Sequence, residues 1–192
     1  MKKSFYAYMS RLKHIKRWGL MRNTIEENVA EHTFDVAVIA HALAVIRRDV
    51  YGGETDEAQV VLYALYHEAG EAITGDLPTP VKYFDEDINR AYKKIEKQAE
   101  RTMAGMLPEE MRRAISPYVL GEVSGEVRRI VKAADKIAAY IKCIEEKKSG
   151  NTEFIKAESR ILEALHEMGQ PEVKYFLDNF LEGYMLTLDE LN

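Results

Sequence analysis

At 192 residues and 46% hydrophobic side chains, the chain has the length of one domain and enough apolar material for a substantial core without covalent staples. Its formal net charge of −5 argues against a dedicated binder of polymeric nucleic acid, whose phosphate contacts demand a basic surface. A single cysteine, Cys143, excludes an internal disulfide and any CxxC metal or redox motif.

In chain order, the first segment (Met1 to Tyr6) reaches Arg11 and Lys13 before any apolar stretch of signal length develops, and no uninterrupted 18-residue apolar run follows. The expectation is a cytoplasmic protein with no membrane partner. Arg11, Lys13, Lys16, Arg17 and Arg22 form a short basic stretch without an acid, suited to a small anionic ligand or to a solvated helix face.

Periodicity and punctuation predict helices over 3–16, 28–49, 55–71, 86–105, 108–116, 123–149, 151–167 and 171–186, with no convincing period-2 strand anywhere. The expected class is all-α, a helical bundle in a single domain. Asn28 and Glu31 form a capping-box pair for the second helix, whose stretch Phe34–Ile46 carries one formal charge, Asp35, and is therefore expected to be central. Its stripe Val36, Ile39, Leu43, Ile46 runs in line with His32, turning that imidazole inward. His41 falls with Phe34, Val38 and Val45, and His14 and His166 fall among charges; none of these three is taken as a site residue.

In the third helix, begun by Thr55 or Asp56, the same spacing aligns Val60, Ala64, His67 and Glu71. His67-Glu68 is followed by Gly75-Asp76-Leu77-Pro78-Thr79-Pro80. Neighbouring helical residues point about 100° apart, so His67 and Glu68 can share an ion lying between their directions near the helix end. Position 71 is Glu, which rules out the H-E-x-x-H zinc-protease motif. Later, Asp135 sits at the margin of the apolar face made by Val127, Ile130, Val131, Ala134, Ala138 and Ile141. A carboxylate there is costly unless it meets a cation or hydrogen-bond donors. His32, His67, Glu68 and Asp135 together make a mixed nitrogen and oxygen set suited to one borderline divalent metal ion of the Co, Mn, Zn, Fe or Ni class.

The order His32, His67-Glu68, Asp135 across an all-α chain resembles the HD-domain metal-dependent phosphohydrolases. Arg17-Trp18, Leu20 to Asn23, Glu27-Asn28-Val29, Glu31-His32, Thr74 to Tyr83 and Leu188-Asp189-Glu190 resemble the bacterial 5′-deoxynucleotidases over almost the whole chain. The resemblance implies an HD-type fold. It also implies a homodimer that uses a divalent metal to hydrolyse deoxyribonucleoside 5′-monophosphates to deoxynucleoside and phosphate. Position by position it implies metal ligation by His32, His67, Glu68 and Asp135, and phosphate orientation by Arg17. It implies a sugar contact by Trp18, a substrate loop of Asp76, Leu77, Pro78 and Thr79, and catalytic roles for Arg17, Glu71 and Asp76. His32, Glu68 and Asp135 are expected to touch substrate as well as metal. An indole against C2′ would leave a ribose 2′-hydroxyl without a partner, at about 1–3 kcal/mol.

Glu68 departs from the family's aspartate, and its extra methylene is expected to move the carboxylate by about 1.5 Å. The competing readings are another HD-type phosphate-ester hydrolase and a non-catalytic nucleotide- or metal-binding helical protein impaired at Glu68.

Overall fold

The computed structural model describes residues 3–191. Its helices are α1 (Phe5–Met9), α2 (Val29–Asp49), α3 (Glu57–Tyr66), α4 (Glu71–Thr74), α5 (Thr79–Lys82), α6 (Glu86–Gly105), α7 (Glu109–Val119), α8 (Gly125–Lys148), α9 (Ile155–Glu167) and α10 (Pro171–Phe180). Short 3-10 turns extend α1, precede α9 and follow α10. Among the described residues the only β-type pairing is an isolated antiparallel bridge between Lys16 and Asn28. The all-α class expected from the sequence holds.

Helices α2 and α8 form the centre. Val36, Leu43, Ile130, Ala134 and Ile137 interdigitate there without solvent contact, and α3, α9 and α10 close the cluster. Burying each of the larger side chains contributes about 1.5–3 kcal/mol. A second cluster joins Phe5, Leu12 and Val29 to Ala69, Ala72, Met103, Leu107 and Val119. His32 lies one turn beyond Val29 of the second cluster and one turn before Val36 of the first, so the junction of the two cores is where its imidazole arrives.

Asn28 caps α2 as expected, its side chain accepting from Ala30 and Glu31 N–H while Glu31 accepts from the Asn28 N–H. Asp56 caps α3 through Gln59 N–H. Four elements depart from expectation. The first helix ends near His14 rather than 16, because Ile15 turns extended and accepts the Val29 N–H at 3.0 Å. The helix expected over 55–71 breaks after Tyr66 into i to i+3 turns through His67–Gly70, and a separate α4 starts at Glu71. The helix expected over 171–186 is α-helical to Phe180 and then tightens to a 3-10 turn. Thr79–Lys82, expected as loop, is a short helix with Pro80 in its first turn.

Helix α2 is central, yet not buried all round: Phe34, Val38 and His41 remain on an open face. By length and composition it is the one helix among the described residues apolar enough to cross a membrane, although 56% of its most apolar window is buried within the fold.

Candidate metal centre and substrate cleft

Four donors converge where the two cores meet. One ligand atom from each of His32, His67, Glu68 and Asp135 lies within 4.8 Å of the others. His32 projects from the first turn of α2, fully buried, and its Nε2 is 2.9 Å from an Asp135 oxygen on α8. His67 caps the end of α3, where its Nδ1–H donates to the Ala64 carbonyl at 2.6 Å. That bond fixes the tautomer and leaves Nε2, buried and unpartnered, as a lone-pair donor aimed into the cluster. Glu68 follows on the turn, an oxygen 3.4 Å from His67 Nε2. Its longer side chain therefore still reaches the set. An orphaned imidazole nitrogen among carboxylates is the arrangement a divalent cation completes.

The charges are strongly coupled. Burial alone would lower the His32 pKa, but hydrogen bonds to Asp135 and Glu27 hold it up at about 8. Asp135, against the burial that raises it, is pulled well below the ordinary carboxylate range by His32. Glu71 sits against Glu68; burial and then the Glu68 charge push its carboxyl far up, so it carries a proton at neutral pH. Glu68 is correspondingly lowered, in spite of burial, by His67 and by the hydrogen bond from Glu71. Asp76 is also raised by burial, Arg17 opposing.

Two loops shape the approach. The first, residues 15–28, is closed at its base by Arg17 N–H to the Glu27 carbonyl and Val29 N–H to the Ile15 carbonyl, both 3.0 Å. Trp18 stands there in the left-handed region at φ 57°, at a cost of about 1–2 kcal/mol for a residue with a Cβ. It is held by its indole N–H donating to Glu27 at 2.7 Å and by packing on Phe154 at 5.3 Å between ring centres. The loop is anchored to α8 by Glu146, fully buried, which accepts from Thr24 and Ile25 N–H and from Asn151 and Lys142. The second loop leaves α4 through Gly75, whose φ of 73° is open to glycine and strained for other residues, and so brings Asp76 back toward the cluster.

Between these loops, α8 and α9 lies a cleft of about 630 Å³ lined by Arg17, Trp18, Asp76, Pro78, Thr79 and Asp135. Asp135 belongs to both cluster and cleft, so the donor set opens into it. Leu77 is half-buried and is not part of the lining. Of the five basic residues between 11 and 22, Arg17 alone enters the cleft; Lys16 pairs with Glu26 and the others face solvent or another groove. Lys136 on α8 and Lys156 and Arg160 on α9, to which sequence reasoning assigned no role, also line the cleft, with no ion-pair partner among the described residues.

Glu27 is the other residue that sequence reasoning left without a role. Its carboxylate, nearly buried, receives the Trp18 indole and lies 3.4 Å from His32 Nδ1 and 3.5 Å from Arg17 Nε. One acid thus orients three candidate site residues. The signal available was its place just before the N-cap of α2, about a turn ahead of His32.

The comparisons with known proteins agree with this geometry. The family model described as 5′-deoxynucleotidase YfbR-like matches residues 4–184. A Vibrio parahaemolyticus protein named as a 5′-deoxynucleotidase is 46% identical over 189 residues, covering 98% of this chain and 97% of that protein. An Escherichia coli protein named 5′-deoxynucleotidase YfbR is 45% identical, with 98% and 95% covered. Among solved structures, an HD-domain phosphohydrolase from Listeria innocua superposes with a TM-score of 0.82 at 25% identity, covering 96% of this chain and 90% of that one.

Proposed function

The chain belongs to the 5′-deoxynucleotidase YfbR-like family, and on that premise we propose how its cleft performs the reaction. It is a phosphomonoester hydrolase that releases phosphate from deoxyribonucleoside 5′-monophosphates. The observation that carries the proposed mechanism is the four-donor cluster opening, through Asp135, into the cleft that holds Arg17 and Trp18.

In this reading His32, His67, Glu68 and Asp135 hold one divalent ion of the Mn, Co, Fe, Ni or Zn class. When bound, such an ion offsets phosphate charge and lowers the pKa of a coordinated water. Arg17 presents its planar fork to the phosphate oxygens; its position between Glu27 and the cleft keeps it charged and aimed. Trp18, fixed by Glu27, packs against the deoxyribose and leaves no partner for a 2′-hydroxyl. Pro78 and Thr79 close over the nucleoside opposite.

The two acids outside the ligand set then divide the proton transfers. Asp76 lines the cleft, so it faces the ester and donates to the leaving 5′ oxygen. Glu71 lies deeper against Glu68, away from the cleft lining; a cation held by Glu68 would offset the charge that keeps Glu71 protonated and free its carboxylate to take the proton of the attacking water. The substrate is a free mononucleotide, in keeping with the acidic net charge of the chain. Cytoplasmic residence and assembly as a homodimer complete the proposal; the buried free thiol of Cys143 suits a reducing compartment.

The test is phosphate release from matched deoxyribo- and ribonucleoside 5′-monophosphates by metal-stripped protein, with single metals added back. Metal-restored release confined to the deoxy series supports the mechanism; equal release without metal overturns the ligand assignment. Asp76→Asn should lose most turnover on nucleotides but far less on an aryl phosphate, whose leaving group needs no proton. Equal loss on both substrates would remove Asp76 as the acid.

A further inference from the structure

Three cations in the cleft take no part in the reaction as described. Lys136 follows Asp135 on α8, and Lys156 and Arg160 stand one turn apart on α9, the helix packed against α8. None has a hydrogen-bond or ion-pair partner among the described residues, although Lys136 is half-buried. Like charges four residues apart weaken a helix, and a half-buried lysine without a partner loses hydration uncompensated. Other charges around the cleft are matched. Arg17 faces Glu27 at 3.5 Å, and Glu153, which also lines the cleft, takes the Arg22 N–H at 2.7 Å. In a chain of net charge −5, an unmatched basic wall inside the substrate cleft is a local reversal of sign. It is complementary to an anion that the chain itself does not supply.

A nucleoside 5′-monophosphate has one anionic group, and the donor cluster with Arg17 receives it. The α9 cations stand beside the sugar instead. Trp18, the sugar wall, packs on Phe154 at 5.3 Å between ring centres, and Phe154 is the N-cap of α9, two residues before Lys156. Lys156 is in the first turn of that helix, where the dipole adds to the positive potential. On a 2′-deoxy sugar whose 5′ position is already esterified, the position left for a phosphate is O3′.

We propose that Lys136, Lys156 and Arg160 form a subsite for a phosphate on O3′, which extends the substrate class to deoxyribonucleoside 3′,5′-bisphosphates. The inference rests on the nucleotidase reading for the orientation of the nucleotide. Water adds its oxygen to the 5′ phosphorus, the P–O5′ bond breaks, and O5′ leaves with a proton. The products are inorganic phosphate and a deoxyribonucleoside 3′-monophosphate, whose 3′ ester is held away from the donor cluster and stays intact.

The test compares phosphate release at low salt from deoxyadenosine 3′,5′-bisphosphate, 5′-monophosphate and 5′-diphosphate. Three partly screened contacts should give the bisphosphate a kcat/KM about tenfold above that of the monophosphate, mainly through KM, and added salt should erode the advantage. Lys156→Ala combined with Arg160→Ala, both exposed positions, should bring the two values to within about twofold of each other, with folding checked by far-UV circular dichroism. Calorimetric titration reads the subsite without turnover: the parent should bind deoxyadenosine 3′-monophosphate about tenfold more tightly than deoxyadenosine, and the double variant should lose that preference. Equal kcat/KM for bisphosphate and monophosphate, or a double variant that lowers both by the same factor, would overturn the subsite. A gain for the 5′-diphosphate in place of the bisphosphate would overturn its assignment to O3′. No release from any of the three nucleotides would overturn the nucleotidase reading, and the calorimetric preference would still decide for or against the subsite.

Discussion

Replacing Glu27 by glutamine tests whether one acid orients the site. The substitution preserves size but halves the accepting capacity and puts an amide N–H₂ where a carboxylate oxygen met N–H donors. Three contacts are at stake, with Trp18 Nε1 at 2.7 Å, His32 Nδ1 at 3.4 Å and Arg17 Nε at 3.5 Å. Glutamine can keep the indole or the imidazole but not both. With the side chain only 12% exposed, little of the loss is screened. One charge-assisted hydrogen bond is worth about 1.5–3 kcal/mol; the longer His32 and Arg17 separations place them at or below the lower end. At about 1.4 kcal/mol per tenfold, the expected fall in kcat/KM is about 10- to 100-fold. Because the Glu27 carboxylate faces His32 Nδ1 at 3.4 Å and favours a proton there, metal affinity should fall by a similar factor, as with other outer-sphere carboxylates. The assays are steady-state phosphate release at saturating metal and a chelator-competition titration. Values of kcat/KM and metal affinity both within twofold of the parent would refute the orienting role.

Trp18→Ala should narrow the preference for deoxyribo over ribo substrates, with the φ strain unchanged because alanine also carries a Cβ; an unchanged ratio of kcat/KM values removes the indole as the sugar filter. Gly75→Ala meets no atom within 4 Å of the new Cβ, so its penalty is purely the φ of 73°. Activity should drop more than melting temperature, and an unchanged kcat would mean that the turn does not place Asp76. For pH dependence, Glu146 is depressed from 4.5 to about 2 by its Lys142, Ile25, Asn151 and Thr24 hydrogen bonds, which outweigh burial. A depressed carboxylate stabilises the fold fully above about pH 4.5 and loses that contribution as pH falls toward 2. The melting-temperature gap between parent and Glu146→Gln should therefore close over that interval; a gap independent of pH would contradict the anchoring role.

The parts of the site that lie on regular helices were legible as periodicity. His32 follows from the stripe of α2, Asp135 from the margin of α8, and His67 from its register with Val60 and Ala64. What could not be read was set by contacts between distant segments. The break after Tyr66 has no proline and no glycine before Gly70 to announce it; it exists because His67 bonds the Ala64 carbonyl and turns toward the cluster. The end of the first helix depends on Val29, fourteen positions on from Ile15. Glu27 gains its role only when the loop closes over Trp18, and the basic stretch contributes Arg17 alone because the loop path decides which cations face inward. Helix α2 looked apolar all round, and periodicity within one chain has no way to tell a face that meets its own core from one that meets nothing in the same chain.

Helix α8 supplies Asp135 near its middle and Glu146 eleven residues on, about 16 Å along one rigid rod. Since Glu146 grips the loop that carries Arg17 and Trp18, those two side chains and Asp135 are mounted on a common chassis and separate only if the buried Glu146 contacts break. The other jaw of the cleft is residues 76–84. Its grip on the body runs through Lys82, bonded to Glu96 at 2.7 Å and accepting from Asn89 at 3.0 Å. Tyr83 and Phe84, largely in solvent, form the free edge of that jaw. Under the proposed function, nucleotide would enter and nucleoside leave past that edge, on the side away from the Glu146-anchored loop.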